Sequence, residues 1–331
     1  MDANLKTLLK EYEQKRNLAE VKAAQKKQEL YKKIPELAKL EEDSNIYALD
    51  SIIKSLNSGN SDKSLAKNLK SNTTKKNQIL KENGYDIHYL EPEYECKKCN
   101  DTGYIKNNDD KELCSCIKQR LYNIAYNNSN IYDLENQNFD KFVLDYYSDE
   151  SDKEQYGTKV SPRKNIEKIL KTCHNFVDNF DDVKTNNLLF CGATGLGKTF
   201  LSSCIANEMI KKGKVVLYQT APLMLDQIID YKFGKSNNNV FDAILNADLL
   251  IIDDLGTETV NSLKSTEIFN IINSRILNQN NKVTKTIIST NLSLDSLNSV
   301  YEERITSRLI GNYDCCLFYG DDIRIQKKLK K

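Results

Sequence analysis

Residues 188–210 read LLFCGATGLGKTFLSSCIANEMI: a short apolar run, a glycine-rich turn and a second apolar stretch of helical character. The turn fits the pattern G-x4-G-K-T, in which backbone N–H groups close around phosphate oxygens at a helix N-terminus. A tight turn that spells these letters by chance is the competing interpretation, and the flanking strand and helix argue against it. The segment therefore predicts a P-loop.

The pattern assigns a role to each residue of the turn. Lys198 is predicted to neutralise the β- and γ-phosphate oxygens, and the Thr199 hydroxyl to ligate Mg²⁺. The predicted nucleotide-binding residues of this segment are Gly192, Ala193, Thr194, Gly195, Leu196, Gly197, Lys198, Thr199 and Phe200.

Two acids follow another apolar run, LLIIDD at residues 249–254. Asp253 is predicted to hold Mg²⁺ through water, and Asp254 to act as the general base that polarises the attacking water. The same pair can also cap the next helix, an alternative that the nearby P-loop disfavours. A further apolar run, 286–289, precedes Asn291, whose amide can orient the same water.

The region around these motifs alternates short apolar runs with helical segments. Strands are predicted at 188–191, 215–219, 249–253 and 286–289, with helices between them. Short apolar strands separated by helices are typical of a parallel sheet covered on both faces. The fold class predicted here is α/β, a parallel sheet flanked by helices.

Four of the nine cysteines lie close together, in the order Cys96-x2-Cys99 and Cys114-x-Cys116. Four thiolates suit a closed tetrahedral zinc site, and so zinc is predicted as structural. An iron–sulfur cluster and unmetallated thiols are the alternatives, and His88 is a possible substitute ligand. The other five cysteines are predicted to be buried thiols, and they are Cys173, Cys191, Cys204, Cys315 and Cys316.

The N-terminal part is helical in character. Residues 4–34 contain no glycine or proline and are rich in strong helix formers, so one long helix is expected, ended by Pro35. Further helical stretches run to Gly84, a plausible C-cap. These helices are either a self-contained bundle or a docking module for a partner protein.

Charge and hydropathy exclude some classes of function. Lys+Arg number 48 and Asp+Glu 47, so the net charge of +1 produces no strong field over the whole molecule. Any binding site for a polyanion therefore has to be a local basic patch. The charged N-terminus argues against a signal peptide, and no apolar stretch reaches the length of a membrane span. A cytoplasmic protein without a membrane partner is expected, and a reducing cytosol disfavours disulfides.

Several motifs together resemble a known family. The motifs that carry the resemblance are the P-loop, IIDDLG at 251–256, STN at 289–291, ERITSRL at 303–309 and GDDIR at 320–324. With them, the sequence resembles the AAA+ domain of DnaC/DnaI-type bacterial replicative helicase loaders, within the IstB-like superfamily. The likeness covers about residues 130–326, and the cysteine module and the helical N-terminus extend it less specifically over the whole chain. It implies that Asn291 is sensor 1, Arg308 the arginine finger acting on a neighbouring subunit, and Arg324 sensor 2.

The resemblance also implies an organisation and a function. It divides the chain into a helical partner-binding region at 1–90, a zinc-binding module at 91–125 and an AAA+ ATPase domain at 126–331. It implies an ATP-dependent loader that places a hexameric replicative helicase on single-stranded DNA and forms a homo-oligomer when ATP is bound. The alternatives are an IstB-type transposition helper ATPase and a non-hydrolysing, zinc-containing adaptor that senses nucleotide.

Three features qualify these expectations. Many AAA+ proteins end this strand in Asp-Glu, and the shorter Asp254 is expected to give slow hydrolysis. Arg304 and Arg308 stand at i and i+4 on one helix face, so either can be the finger, and an ion pair with Glu302 or Glu303 is the alternative for both. The helix at 223–235 is a candidate DNA contact or an amphipathic core helix, and its exposed end offers Tyr231, Lys232, Phe233 and Lys235.

Overall fold

The computed structural model describes residues 2–58, 63–107, 110–125, 136–235, 240–259, 261–278 and 283–329. The chain divides into two compact units, Asp2–Cys114 and Ser115–Lys331, and each is described by itself. The boundaries expected at residues 90 and 125 stay predictions. Within the described residues, no helix has both the length and the hydropathy needed to cross a membrane.

The first unit consists of three helices and a small hairpin. Its elements are α1 (Asp2–Lys33), α2 (Pro35–Ser58), α3 (Lys63–Glu82), β1 (Tyr104–Asn107) and β2 (Asp110–Leu113), the last two paired antiparallel. The predicted single long helix is confirmed, since α1 runs to Lys33 and a new helix begins at Pro35. Proline fits the first position of α2, because an N–H there would have no helical acceptor. Leu30, Leu37, Leu80 and Leu90 form a shared core.

The second unit is a sheet with helices on both faces. Its elements are α4 (Ser115–Ala125), α5 (Lys153–Tyr156), α6 (Pro162–Asp178), β3 (Asn187–Cys191), α7 (Lys198–Lys211), β4 (Val216–Thr220), α8 (Ala221–Lys232), α9 (Val240–Asn246), β5 (Leu249–Leu255), α10 (Ser262–Asn278), β6 (Lys285–Thr290), α11 (Leu294–Val300), α12 (Glu303–Asn312), β7 (Tyr313–Leu317) and α13 (Ile323–Leu329).

The sheet confirms the predicted fold class. Its strand order is β4-β5-β6-β3-β7, and every neighbouring pair is parallel. Apolar side chains from the two faces of β3, β5 and β6 enter two separate cores beneath the helices. The order brings the carboxyl ends of β3, β5 and β6 side by side, and parallel sheets commonly bind ligands at such an edge.

On each of the two edge strands, a side-chain amide bonds to the backbone of one residue. The N–H of Val216 on β4 donates to Oε1 of Gln119 at 2.6 Å, and Nε2 of Gln119 donates to the carbonyl of Val216 at 2.9 Å. On the opposite edge, Nδ2 of Asn165 donates to the carbonyl of Leu317 on β7 at 2.7 Å. Gln119 lies on α4 and is itself buried, and its amide satisfies both the N–H and the C=O of Val216 on the edge strand.

A buried arginine ties three elements of the second unit together. The Arg275 guanidinium on α10 donates to the carbonyls of Ile244 at 2.6 Å and Ala247 at 3.0 Å, and to that of Lys285 at 2.7 Å. Its Nε donates to the Thr286 hydroxyl at 2.9 Å. Burial lowers the pKa of Arg275 to about 10. The Arg275 side chain therefore satisfies backbone carbonyls at the end of α9 and at the start of β6.

Two features of the second unit differ from the sequence-based expectation. The sequence did not predict β7, in which only Tyr313 and Cys316 are buried and the exposed residues break up the apolar run that would identify a strand. Cys315 was expected to be buried, and this was wrong, because it lies exposed on this edge strand. The other four thiols outside the cysteine module are buried as expected.

Candidate functional site

The P-loop connects β3 to α7 and approaches other backbone closely. Gly192 has φ 147°, and a Cβ there would overlap the carbonyl oxygen of Phe318. Gly197 has φ 92°, and a Cβ there would stand 2.7 Å from Oη of Tyr147. Both positions thus need glycine for conformation as well as for space. The Tyr147 hydroxyl also donates to the carbonyl of Leu196 at 2.9 Å, which fixes the loop from outside.

Lys198 reaches across the loop. Its Nζ donates to the carbonyls of Gly192 at 2.6 Å and Ala193 at 2.7 Å, and to Oδ1 of Asn291 at 2.8 Å. Burial lowers the pKa of Lys198, while the nearby Asp254 and Asp253 act in the opposite direction. The ammonium group and the predicted sensor amide, which are far apart in the sequence, therefore meet at one point.

Hydroxyl groups surround the Asp253 carboxylate. The Ser289 hydroxyl on β6 donates to Oδ1, and Oγ1 of Thr199 lies 3.5 Å from the same oxygen. The Tyr218 hydroxyl on β4 donates to Oδ2 at 3.1 Å. Oxygen ligands from a threonine and a carboxylate are those that Mg²⁺ prefers, so Thr199 and Asp253 fit the metal expected with a nucleotide.

Asp254 has an unusual backbone conformation. Its φ is 56°, a left-handed value that non-glycine residues rarely adopt, and the pairing of β5 with β6 is irregular between Ile252 and Leu255. The N–H of Asp254 donates to the Ser289 hydroxyl at 3.1 Å. Burial, followed by the charge of Asp253, raises the pKa of Asp254. The sequence pattern predicts a strand that ends at residue 253, whereas β5 continues to Leu255 beyond the irregularity.

A cleft of roughly 400 Å³ opens over the P-loop. Thr194, Lys198, Asp254 and Asn291 line it. Much of the wall comes from residues that were not predicted to form the site, which are Gln137, Lys141, Phe142, Val143, Tyr146, Tyr147, Ile323 and Lys327. The signal for them in the sequence is an aromatic string through residues 139–147, which has neither helical nor strand periodicity.

The C-terminal segment closes the other side of this cleft and carries Arg324. The N–H of Ile323 donates to the carbonyl of Gly195 at 2.9 Å, which joins the P-loop backbone to the residue that precedes Arg324. Nε2 of Gln326 donates to the carbonyl of Tyr146 at 2.9 Å. Arg324 lines the cleft, so of the four predicted catalytic residues the structure brings three to one cavity, and they are Asp254, Asn291 and Arg324.

The two candidate finger residues differ in their surroundings. Arg304 pairs with Glu302, with 2.7 Å between Nε and Oε2, and its guanidinium lies 4.5 Å from the ring centre of Phe269. Arg308 is exposed on α12, does not line the cleft, and forms no ion pair with any residue in the described ranges. Arg304 thus has partners within its own chain, whereas Arg308 is exposed and without an ion pair among the described residues.

The four cysteines of the module converge as predicted. The Sγ atoms of Cys96, Cys99, Cys114 and Cys116 all lie within 4.8 Å of one another, and those of Cys96 and Cys114 are 3.9 Å apart. Four Zn–S bonds of about 2.3 Å would separate the sulfurs by roughly 3.8 Å, so the cluster fits zinc. His88 is not part of it, because its exposed ring pairs with Glu91 at 3.0 Å.

Asp101 shapes the first half of this cluster and was not singled out from the sequence. Its Oδ1 accepts from the N–H of Cys96 at 2.8 Å, and its Oδ2 accepts from the N–H of Glu95 at 2.9 Å. Asn100 has φ 50° and Asp101 has φ 53°, which turns the chain back after Cys99. A buried aspartate therefore stabilises the turn that contains Cys96 and Cys99.

The exposed end of α8 is partly neutralised. Phe233 is 66% exposed and Tyr231 is 38% exposed, so both rings are available for stacking. Nζ of Lys232 pairs with the buried Glu267 at 2.6 Å, and Nζ of Lys235 lies 3.9 Å from Asp230. Lys232 is therefore a poorer candidate for a phosphate contact than its sequence position indicated.

Comparison with known proteins gives one family match. The model of the family described as IstB-like ATP binding protein matches residues 152–330, which is more than half of the chain. This range contains the P-loop, the Asp253-Asp254 pair and all the predicted catalytic residues.

Individual relatives each match a little under half of the chain. The Replicative helicase loader DnaC of Escherichia coli (strain K12) is 27% identical over 158 residues, 47% of this chain and 62% of that protein. The protein of the same name from Buchnera aphidicola subsp. Baizongia pistaciae is 31% identical over 157 residues, 46% of this chain and 59% of that protein. The chain thus spans about three fifths of the length of these relatives.

Two solved structures are also similar to this chain. A crystal structure of the DnaC helicase loader has 22% identity and a TM-score of 0.45, and covers 57% of this chain and 99% of that one. A crystal structure of DnaI has 23% identity and a TM-score of 0.41, and covers 48% of this chain and 85% of that one.

Proposed function

The chain belongs to the family of IstB-like ATP binding proteins, and from this premise we propose that it hydrolyses ATP and loads a hexameric replicative helicase onto single-stranded DNA. The observation that carries the ATPase part is the meeting of Lys198, Asp254, Asn291 and Arg324 in one cleft. The names of the relatives support the loader part, since the proteins similar to this chain include replicative helicase loaders.

The residues of the cleft have distinct tasks in this proposal. Lys198 exchanges its bonds to the P-loop carbonyls for bonds to phosphate oxygens, and the P-loop N–H groups bind the remaining oxygens. Thr199 and Asp253 would hold Mg²⁺, which when bound offsets the charge of the phosphates. Asp254 accepts the proton of the attacking water, and Asn291 orients that water. Arg324, at the start of α13, contacts the phosphates.

The remaining parts of the chain supply the partners. We assign the helices of Asp2–Cys114 and the cysteine module to binding the helicase, because the residues proposed for phosphate chemistry all lie in the second unit. Arg308, exposed on α12, supports a homo-oligomer in the ATP-bound state, in which it reaches a neighbour's nucleotide. Phe233 and Tyr231 on the exposed end of α8 are the proposed stacking surface for single-stranded DNA.

A transposition helper ATPase of the IstB type is the second candidate, and the family match favours it equally. The two functions differ in the partner that the chain binds. The full chain should be mixed with a bacterial hexameric replicative helicase, closed circular single-stranded DNA and ATP. A loader gives helicase bound to the circle only when chain and ATP are both present; a transposition helper gives no complex with the helicase. The Lys198→Ala chain serves as the nucleotide-defective control.

We expect Asp254→Asn to lower the rate of ATP hydrolysis by about 100-fold, because the amide cannot accept the proton of the attacking water. Nucleotide affinity should change little, since Asp254 is not predicted to contact the phosphates. Steady-state turnover and equilibrium binding of a fluorescent ATP analogue measure the two effects. In the Lys198→Ala chain, by contrast, binding itself should weaken. Turnover of Asp254→Asn equal to that of the original chain would remove Asp254 from the role of base.

We expect one zinc ion per chain, bound by Cys96, Cys99, Cys114 and Cys116. Cys114→Ser should lose that zinc because a hydroxyl is a poor replacement for a soft thiolate ligand. Cys315→Ser is the matched control, since Cys315 is an exposed cysteine outside the cluster and its loss should leave the zinc in place. Elemental analysis of protein purified without chelators measures the metal. Iron in place of zinc, or no metal, would contradict the assignment.

A further inference from the structure

Tyr218 is a buried tyrosine whose hydroxyl faces the nucleotide-binding machinery. It lies on β4, next to β5 in the sheet, and is 1% exposed. Its hydroxyl donates to Oδ2 of Asp253 at 3.1 Å, and the carbonyl of Thr199 lies 3.5 Å away. Burying a hydroxyl costs free energy unless it finds a partner, so packing alone would be served better by phenylalanine.

The hydroxyl completes the hydrogen bonding of one carboxylate. Oδ1 of Asp253 faces the hydroxyls of Ser289 and Thr199. Among the residues that the structure describes, Tyr218 is the donor to Oδ2. A carboxylate bonded through one oxygen alone can turn about its Cβ–Cγ bond, whereas bonds to both oxygens from different strands fix its plane.

We propose that Tyr218 is a positioning residue, which orients Asp253 for Mg²⁺ bound together with the nucleotide. The inference rests on the proposed ATPase function and extends it to a residue outside the P-loop and Walker B motifs. Groups that hydrogen-bond to a metal-binding carboxylate set its direction, and their loss commonly weakens metal binding by about 10- to 100-fold. Tyr218 itself contacts neither metal nor phosphate in this proposal.

Tyr218→Phe tests the role, because it removes the hydroxyl and keeps the ring. Affinity for a fluorescent ATP analogue is measured in EDTA and across a Mg²⁺ titration, and binding of Mn²⁺ with the nucleotide is followed by electron paramagnetic resonance. We expect affinity in EDTA to stay within about twofold and the Mg²⁺ concentration for half-maximal effect to rise about 10-fold. An unchanged Mg²⁺ dependence would overturn the proposal.

Two further variants separate positioning from a general loss of structure. Tyr313→Phe is the matched control, since Tyr313 is a buried tyrosine on β7 of the same sheet, and its Mg²⁺ dependence should equal that of the original chain. In an Asp253→Asn background, Tyr218→Phe should add little, because it acts through Asp253. Independent, additive effects would contradict this. If the original chain shows no Mg²⁺-dependent nucleotide binding at all, the proposed function fails rather than the role of Tyr218.

Discussion

Arg308→Ala is expected to lower turnover by about 1000-fold while nucleotide affinity stays nearly intact, since an arginine finger acts on the transition state in a neighbouring site. Arg308 is exposed on α12 and does not line the cleft of its own chain. Turnover is measured in the presence of single-stranded DNA at concentrations that support assembly. Arg304→Ala is the matched control four residues away, and it should have a smaller effect because Arg304 pairs with Glu302 in the same chain.

Mixing two inactive variants tests whether the arginine acts between chains. Arg308→Ala protein retains an intact P-loop, and Lys198→Ala protein retains the finger. At a mixed interface the first can bind ATP and the second can supply Arg308, so part of the activity should return. Absence of rescue under conditions where the mixed oligomer forms would place Arg308 outside the neighbouring site.

Arg275→Met is expected to lower the free energy of unfolding by about 4 kcal/mol, because methionine fills much of the space but cannot donate hydrogen bonds. The buried carbonyls of Ile244, Ala247 and Lys285 then lose their donor, and each unsatisfied group costs about 1–3 kcal/mol. Denaturation in urea, followed by circular dichroism, measures the change. Arg304→Met is the matched surface control and should cost less than about 1 kcal/mol.

A conservative variant covers the case in which Arg275→Met does not fold. Arg275→Lys keeps a charge and up to three donors but lacks the planar fork that reaches several carbonyls at once, so an intermediate loss is expected. Stability of Arg275→Lys equal to that of the original chain would show that the guanidinium geometry is unimportant.

Local motifs could be recognised from the sequence because their chemistry uses consecutive residues. The predicted phosphate-binding loop is a continuous run from Gly192 to Thr199, and the two cysteine pairs, Cys96 with Cys99 and Cys114 with Cys116, are each close in the chain. Their spacing therefore carries the prediction. The parallel sheet followed from apolar runs, which are long enough to detect when a strand is buried on both faces.

The features that the sequence did not predict depend on contacts between residues that are far apart in the chain. Arg275 binds carbonyls in α9 and β6, and no local pattern distinguishes it from a surface arginine of α10. Tyr218 and Asp253 lie 35 residues apart, so only strand order shows that they meet. The aromatic wall of the cleft, including Phe142 and Tyr147, lies in short turns without the periodicity that identifies helices or strands.

The side-chain amides on the two sheet edges have a consequence for association between molecules. An open edge strand presents free N–H and C=O groups, to which an extended segment of another protein can add and so begin aggregation. Gln119 satisfies both backbone groups of Val216, and Asn165 satisfies the carbonyl of Leu317. At these positions an added strand would have to displace a side-chain amide, which disfavours growth of a continuous intermolecular sheet along the two edges.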